Sequence, residues 1–361
     1  MNLTNTATDN TAQFFPTLRK KIDEYFKQNN IKPTGNSRLY VKTSILLATF
    51  VTLYLCLVFA NIPQTWINVV LCIIMGVNFS AIGFNIMHDG AHGSYSKNKY
   101  VNECMAYALN LMGGSSFLWK QKHNVSHHSF TNIEGQDDDI DVAPFMRLHL
   151  YQKRYWIHRI QHIYGLLLYG FTYLTWIFYN DYAKYFSGKI GDKSILSKMK
   201  IDEHIVFWFS KVFYVTVFII LPAFKLGIGT TLIGYLITAF TTGVVIAVVF
   251  QLAHVVEPTA TSFTTKEAII AQPIKTDWAI QQIESTANFG TNSKWLSWLL
   301  GGLNFQVEHH LFPRISHVHY PKISKIVKET CAEFNVQYKE FPSMMAAVIS
   351  HLKYLRQIGV A

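Results

Sequence analysis

The stretch TSILLATFVTLYLCLVFANIPQTWINVVLCIIMGVNFSAIGFNIMHDGAH, residues 43–92, holds two long apolar runs and ends on two histidines four apart. A helix needs about 20 mostly apolar residues to cross a bilayer core, and 43–62 and 66–87 both reach that length. Only PQT separates them, so they read as a helical hairpin. A second pair follows at 205–224 and 230–252, joined by KLGIG at 225–229. The expected fold is all-α and integral to a membrane: four transmembrane helices form two hairpins, topped by a cytoplasmic helical cap. Residues 1–42 are expected to form a cytoplasmic N-terminal segment, and 43–361 one membrane domain.

Composition agrees. The 361 residues are 50% hydrophobic, 15% aromatic and only 15% charged, with mean hydropathy above zero. A soluble chain carries about a quarter charged residues. The net charge of +10 suits anionic headgroups or phosphate-bearing substrates. Nucleic acid is excluded as a partner because the basic residues are scattered and no polar binding domain is present. Cys56, Cys72, Cys104 and Cys331 lack metal or redox spacing and read as reduced packing residues. The opening MNLTNTATDNTAQF is polar and nearly uncharged, so no secretory signal is expected.

Orientation follows lysine and arginine bias. Arg19, Lys20, Lys21, Lys27, Lys32, Arg38 and Lys42 precede or open the first apolar run, whereas the hairpin loops together hold only Lys225. Both termini and the 88–204 segment should therefore be cytoplasmic. Two shorter apolar stretches, 105–119 and 164–178, read as re-entrant or surface-lying helices. A crossing at 164–178 would invert everything after it, and basic residues on both sides argue against one.

The fifteen histidines are unevenly placed. HDGAH supplies His88 and His92; HNVSHH supplies His123, His127 and His128; QVEHH supplies His309 and His310, with Gln306 just before them. His254 ends the fourth apolar run. Positions i and i+4 share a helix face, so His88/His92 and His123/His127 can each aim two imidazoles at one point. Adjacent histidines diverge by about 100°, which suits two neighbouring ions rather than one. With both hairpins ending on the cytoplasmic side, all eight imidazoles converge on one membrane face. Imidazole suits iron, zinc, copper and nickel alike. A lone i,i+4 pair is usually only a surface or core feature, and His149, His158, His162, His204, His317, His319 and His351 fall in that class.

The boxes HxxxH, HxxxHH and QxxHH resemble those of the integral membrane fatty acid desaturases. GGLNFQVEHHLFP (301–313), with its leading glutamine, is most similar to the front-end subgroup, which acts between an existing double bond and the carboxyl end. DWAIQQIESTANF (277–289) extends the likeness. The resemblance implies a non-haem di-iron centre of two Fe ions held by His88, His92, His123, His127, His128, His254, His309 and His310. Gln306 stands where many relatives have histidine, and an amide is a weaker donor. The implied partners are an acyl-CoA or acyl-lipid substrate, O2, membrane lipid and a separate electron donor: cytochrome b5, ferredoxin or rubredoxin. No HPGG motif of a fused cytochrome b5 domain is present.

Removing hydrogens from unactivated methylenes is beyond any amino-acid side chain, so metal and oxygen must supply the oxidising power. Acidic groups at Asp89, Glu308 or Asp137–Asp141 (DDDID) can orient imidazole N–H groups, although a DDDID run equally suits a solvated loop or a helix start. Trp119, Trp156, Trp176, Trp278, Trp295 and Trp298 suit interface anchoring or packing better than tunnel lining. Lys120, Lys122, Arg154 and Arg159 suit positive-inside anchoring better than phosphate binding. Two further functions share these features. A hydroxylase or sphingolipid desaturase uses the same boxes, while a b-type haem electron carrier would need histidines inside the bilayer.

Overall fold

The computed structural model describes residues 13–140, 142–190, 194–265 and 278–361. Its main helices, in chain order, are α1 (Phe14–Gln28), α2 (Ser37–Phe59), α3 (Thr65–Ala91), α4 (Lys99–Ala106), α5 (116–130), α6 (Gln161–Tyr169), α7 (172–187), α8 (Ile201–Leu226), α9 (Ile228–His254), α10 (Trp278–Glu284), α11 (Gln306–Leu311), α12 (Tyr320–Glu333) and α13 (Met344–Val360). The described strands are two-residue pairings between loops.

Four of these, α2, α3, α8 and α9, are long and apolar enough to cross a membrane. Each is longer than its apolar run. Helix α2 starts at Ser37 because the Asn36 side chain accepts from the Arg38 N–H at 3.0 Å, satisfying a donor that the first turn leaves free. Helix α3 runs past its apolar run to Ala91 and so carries the first histidine box on its last turn. Large apolar side chains stay exposed on the spanning helices, among them Val51 and Leu55 on α2, Phe209 on α8 and Ile233 on α9. Acyl chains would cover that surface in a bilayer.

Helix α3 is the centre of the bundle, packing on α2 and α9. A Cβ at Gly76 would lie 2.6 Å from the Thr238 carbonyl oxygen, so only glycine allows that approach. Thr242 Oγ1 closes the contact by donating to the Gly76 carbonyl at 3.2 Å.

Four π-turns interrupt the described helices, at Gly83–Met87, Gln121–His127, Trp176–Asn180 and Thr216–Ile220. Such a turn inserts one residue and rotates everything after it by about 100°. The one in α8 frees the Val217 carbonyl, whose π-register partner is Pro222 and has no N–H. Tyr54 Oη donates to that carbonyl at 2.7 Å, as an apolar interior requires.

The two shorter apolar stretches do not cross by length. Residues 105–119 break into short helical pieces around Gly113, and 164–178 divides between α6 and α7, which pack along α9. Beyond the bundle, α1 buries Phe14, Leu18, Ile22 and Phe26 against Ile323, Val327 and Cys331 of α12. Helix α13 rests on α6 and α9. All four cysteines are free.

Candidate metal centre

Every histidine named from the boxes arrives at one place. His88 and His92 close α3. His123, His127 and His128 ride the π-turn of α5 and the residue after it. His254 is the last residue of α9, and α11 supplies Gln306, His309 and His310. All nine side chains are buried. Neighbouring ring centroids lie 4.6 Å apart for His88–His92, 4.5 Å for His88–His309, 4.8 Å for His127–His254 and 4.4 Å for His128–His310. Rings this close leave no slab for a porphyrin between axial imidazoles, which is what a haem carrier needs.

The ligand atoms fall into overlapping sets within 4.8 Å: His88, His92, His123 and His309 form one, and His127, His254 and His310 another. His128 bridges them, grouping with His309 and His310. The adjacent pair His309/His310 thus serves both sets, as their divergence on a helix requires. The first box keeps its i,i+4 pair together. The second divides, His123 facing one set and His127 the other, while both also approach Asp139. The π-turn explains the division, because it widens the helix and loosens the one-face rule.

The ring nitrogens are sorted. Asp137 takes His127 Nδ1 at 3.0 Å, the Ser285 carbonyl takes His254 Nδ1 at 3.1 Å, Tyr320 Oη lies 3.2 Å from His309 Nδ1, and Gln282 Oε1 takes His310 Nδ1 at 2.8 Å. With Nδ1 tied outward, the Nε2 atoms of His127, His309 and His310 are buried without partners, as is that of His92. His123 and His128 bring their Nε2 atoms to 3.2 Å of each other, the spacing of two neighbouring ligands on one ion. Gln306 places its amide 3.3 Å from His254 Nε2, and its Oε1 is buried and unpartnered. Unpaired lone pairs in a dry interior are costly, and a cation satisfies them together.

The acidic groups divide. Asp137 is fully buried and accepts from His127 and from the Asn132 and Asp139 N–H groups. Asp138 pairs with Lys184 at 2.5 Å and Asp139 with Lys122. Neither is a solvated loop residue, and Asp141 lies outside the described residues. Asp89 turns toward Ser316 and His317, while Glu308 meets Asn288 and Tyr338. Lys120 pairs with Glu103 and Arg154 donates to the Val360 carbonyl. Trp119 stacks on His123 at 4.3 Å and walls the centre, and Trp278 Nε1 donates to the His128 carbonyl; Trp156 and Trp295 are exposed.

Burial, and then mutual repulsion, holds His92, His123, His128, His309 and His310 well below the usual imidazole pKa. They are neutral, the form that binds metal. Burial acts the same way on His127, but Asp137 outweighs it and raises that pKa. A Cβ at Gly301, which has φ +58°, would lie 2.4 Å from the Phe84 carbonyl oxygen, so the turn before α11 presses directly on the π-turn of α3.

Two cavities lie in the fold, of which only the second reaches the centre. One of about 580 Å³ lies among α2, α3, α8 and α9, lined by Phe79, Tyr173, Tyr214, Phe218 and Tyr235 and extending to Asn61 and Thr230 at the far helix ends. The other, about 510 Å³, is polar and reaches His92 and His128 past Lys99, Lys120 and Arg314.

Fold and site together define an integral membrane protein with a histidine-walled polar centre at one end of its spanning helices. Residues 64–342 match the fatty acid desaturase family model. The chain is 36% identical over 347 residues to an sn-1 linoleoyl-lipid 6-desaturase of Arthrospira platensis, covering 95% of this chain and 92% of the relative. It is 37% identical over 352 residues to an acyl-lipid (8-3)-desaturase of Physcomitrium patens, covering 96% and 72%. A linoleoyl-lipid 6-desaturase of Synechocystis sp. is 34% identical, with 95% of each chain covered. The chain belongs to the fatty acid desaturase family and is a membrane oxidoreductase that desaturates fatty acids.

Proposed function

We propose that the protein is a front-end desaturase whose eight histidines hold two irons, with Gln306 beside them, and that it places a cis double bond near the carboxyl end of a lipid-bound acyl chain. The observation that carries this is the sorting of ring nitrogens: His127, His254, His309 and His310 tie Nδ1 to the protein, and the Nε2 atoms of His92, His127, His309 and His310 are buried without partners. Relatives named as 6-desaturases and (8-3)-desaturases of acyl lipids support the substrate class.

When bound, the irons supply the oxidising power that, with dioxygen and two electrons, removes two hydrogens from neighbouring methylenes. The chain's own residues do the rest. Asp137, Gln282 Oε1 and the Ser285 carbonyl accept from Nδ1 and so fix the tautomers of His127, His310 and His254, and Tyr320 helps aim the His309 ring. The apolar cavity takes the tail, and the polar opening beside His92 and His128 admits the head. Burial keeps water from the reacting carbons. Electrons come from a separate carrier: cytochrome b5, ferredoxin or rubredoxin. Both termini and the centre face the cytoplasm, following the lysine and arginine bias.

The test is expression in a host lacking polyunsaturated lipids, feeding of linoleate, and location of new double bonds by mass spectrometry. A new bond on the carboxyl side of the existing ones is expected. His128→Ala should insert normally and form none. A hydroxylated product, or full activity in His128→Ala, overturns the assignment.

A further inference from the structure

Lys42 and His317 have no part in the site described above, yet both are buried at its edge. Lys42 spends all three ammonium donors inside the protein: on Asn85 Oδ1 at 2.7 Å, on His317 Nε2 at 3.0 Å and on the Trp298 carbonyl at 3.1 Å. Lysine can only donate, so His317 Nε2 must accept and its proton sits on Nδ1. That nitrogen lies 3.0 Å from Asp89 Oδ1. The approach is at ion-pair distance but too bent for a well-formed hydrogen bond, since Nδ1 has no properly aligned partner. Ser316 Oγ donates to the other Asp89 oxygen at 2.5 Å. The result is a buried chain from ammonium through neutral imidazole to carboxylate.

Its two ends grip α3 on either side of His88. Asn85 lies within the π-turn Gly83–Met87 and also donates to the Ala81 carbonyl at 2.8 Å and the Leu299 carbonyl at 2.9 Å. Asp89 is the next residue after His88. Both grips lead to the segments flanking the third box, through Trp298 and Leu299 before it and Ser316 and His317 after it. The π-turn sets the direction in which His88 and His92 point, because removing its extra residue would rotate them by about 100°. A buried ammonium and carboxylate are costly to keep for stability alone, and apolar packing often replaces such groups without loss.

We infer that Lys42 is a positioning residue that, through Asn85 and through His317 and Asp89, locks the α3 π-turn so that His88 and His92 face His123 and His309. The inference rests on the metal assignment made under Proposed function.

The experiment compares wild type, Lys42→Met and Lys42→Arg, purified in detergent after growth on 57Fe. Iron content, the Mössbauer spectrum, kcat and KM are measured for each. Lys42→Met should change the signal of one iron, lower kcat about 10–100-fold, the usual effect of losing an orienting partner, and leave KM unchanged. Lys42→Arg keeps donors for the three acceptors and should recover part of both losses. An unchanged spectrum and kcat in Lys42→Met overturn the inference, as does a rise in KM alone. If Lys42→Met does not accumulate, Ser316→Ala is measured on the same scales; a changed spectrum supports the role and an unchanged one rejects it. Wild type without iron would instead reject the metal assignment itself.

Discussion

Asp137 shows how one side chain sets the centre's chemistry. It holds the His127 proton on Nδ1, keeps Nε2 free, and is itself fixed by the Asn132 and Asp139 N–H groups. Asp137→Asn keeps the shape but removes the charge, and its amide can present a donor to Nδ1. Metal content and activity should fall about 10–100-fold, while Asp138→Asn, which loses only the pairing with Lys184, should leave iron stoichiometry intact. Equal metal content in both variants would contradict the assignment. The histidines were legible in the sequence because their spacing repeats box by box. Their partners were not: Gln282, Ser285 and Tyr320 meet His310, His254 and His309 across 28, 31 and 11 residues, and no local pattern marks such pairs. DDDID was visible as a candidate, but only the fold distinguishes Asp137 from its neighbours.

At the scale of elements, the spanning helices were legible because a bilayer imposes their length, whereas π-turns leave no mark in hydropathy. Deleting Gly83 should convert the α3 π-turn to ordinary helix and swing His88 and His92 by about 100°. Membrane insertion should survive and iron binding should not; a deletion variant with normal iron and activity would show that the turn is dispensable. Helix α1 was missed for another reason. The basic residues of 1–42 speak to topology and mask the stripe of Phe14, Leu18, Ile22 and Phe26, which repeats every four residues and is buried against α12. Leu18→Ala should destabilise the cap by about 2–5 kcal/mol, the usual cost of emptying a buried leucine site. It should lower the melting temperature and leave KM unchanged at permissive temperature.

For the whole molecule, the cap and bundle meet at a knot of uncharged imidazoles, and this couples stability to pH. An imidazole whose folded pKa lies below its unfolded value of about 6.5 resists protonation only in the native state. The unfolded chain then binds more protons, and stability is lost as pH falls through that value. His92, His123, His128, His309 and His310 all act in this direction. Three groups oppose them, one of them Asp181, whose pKa burial raises. His127 has a raised pKa, so its contribution is present at low pH and fades as pH rises. Burial pushes Glu308 up to about 7, so it too favours the folded state when protonated. His149, His317, His319 and His351 are also lowered, chiefly by burial, so acidification brings a net loss. Metal-free protein in detergent should therefore melt several degrees lower at pH 5.5 than at pH 7.5, which a thermal-unfolding series across that range would measure. Ferrous iron should raise the melting temperature at pH 7.5 and do little at pH 5.5, because protons and metal compete for the same nitrogens. A flat or inverted pH series would mean that the histidines do not stay neutral in the fold, and the centre would lose its capacity to hold metal at the pH where it works.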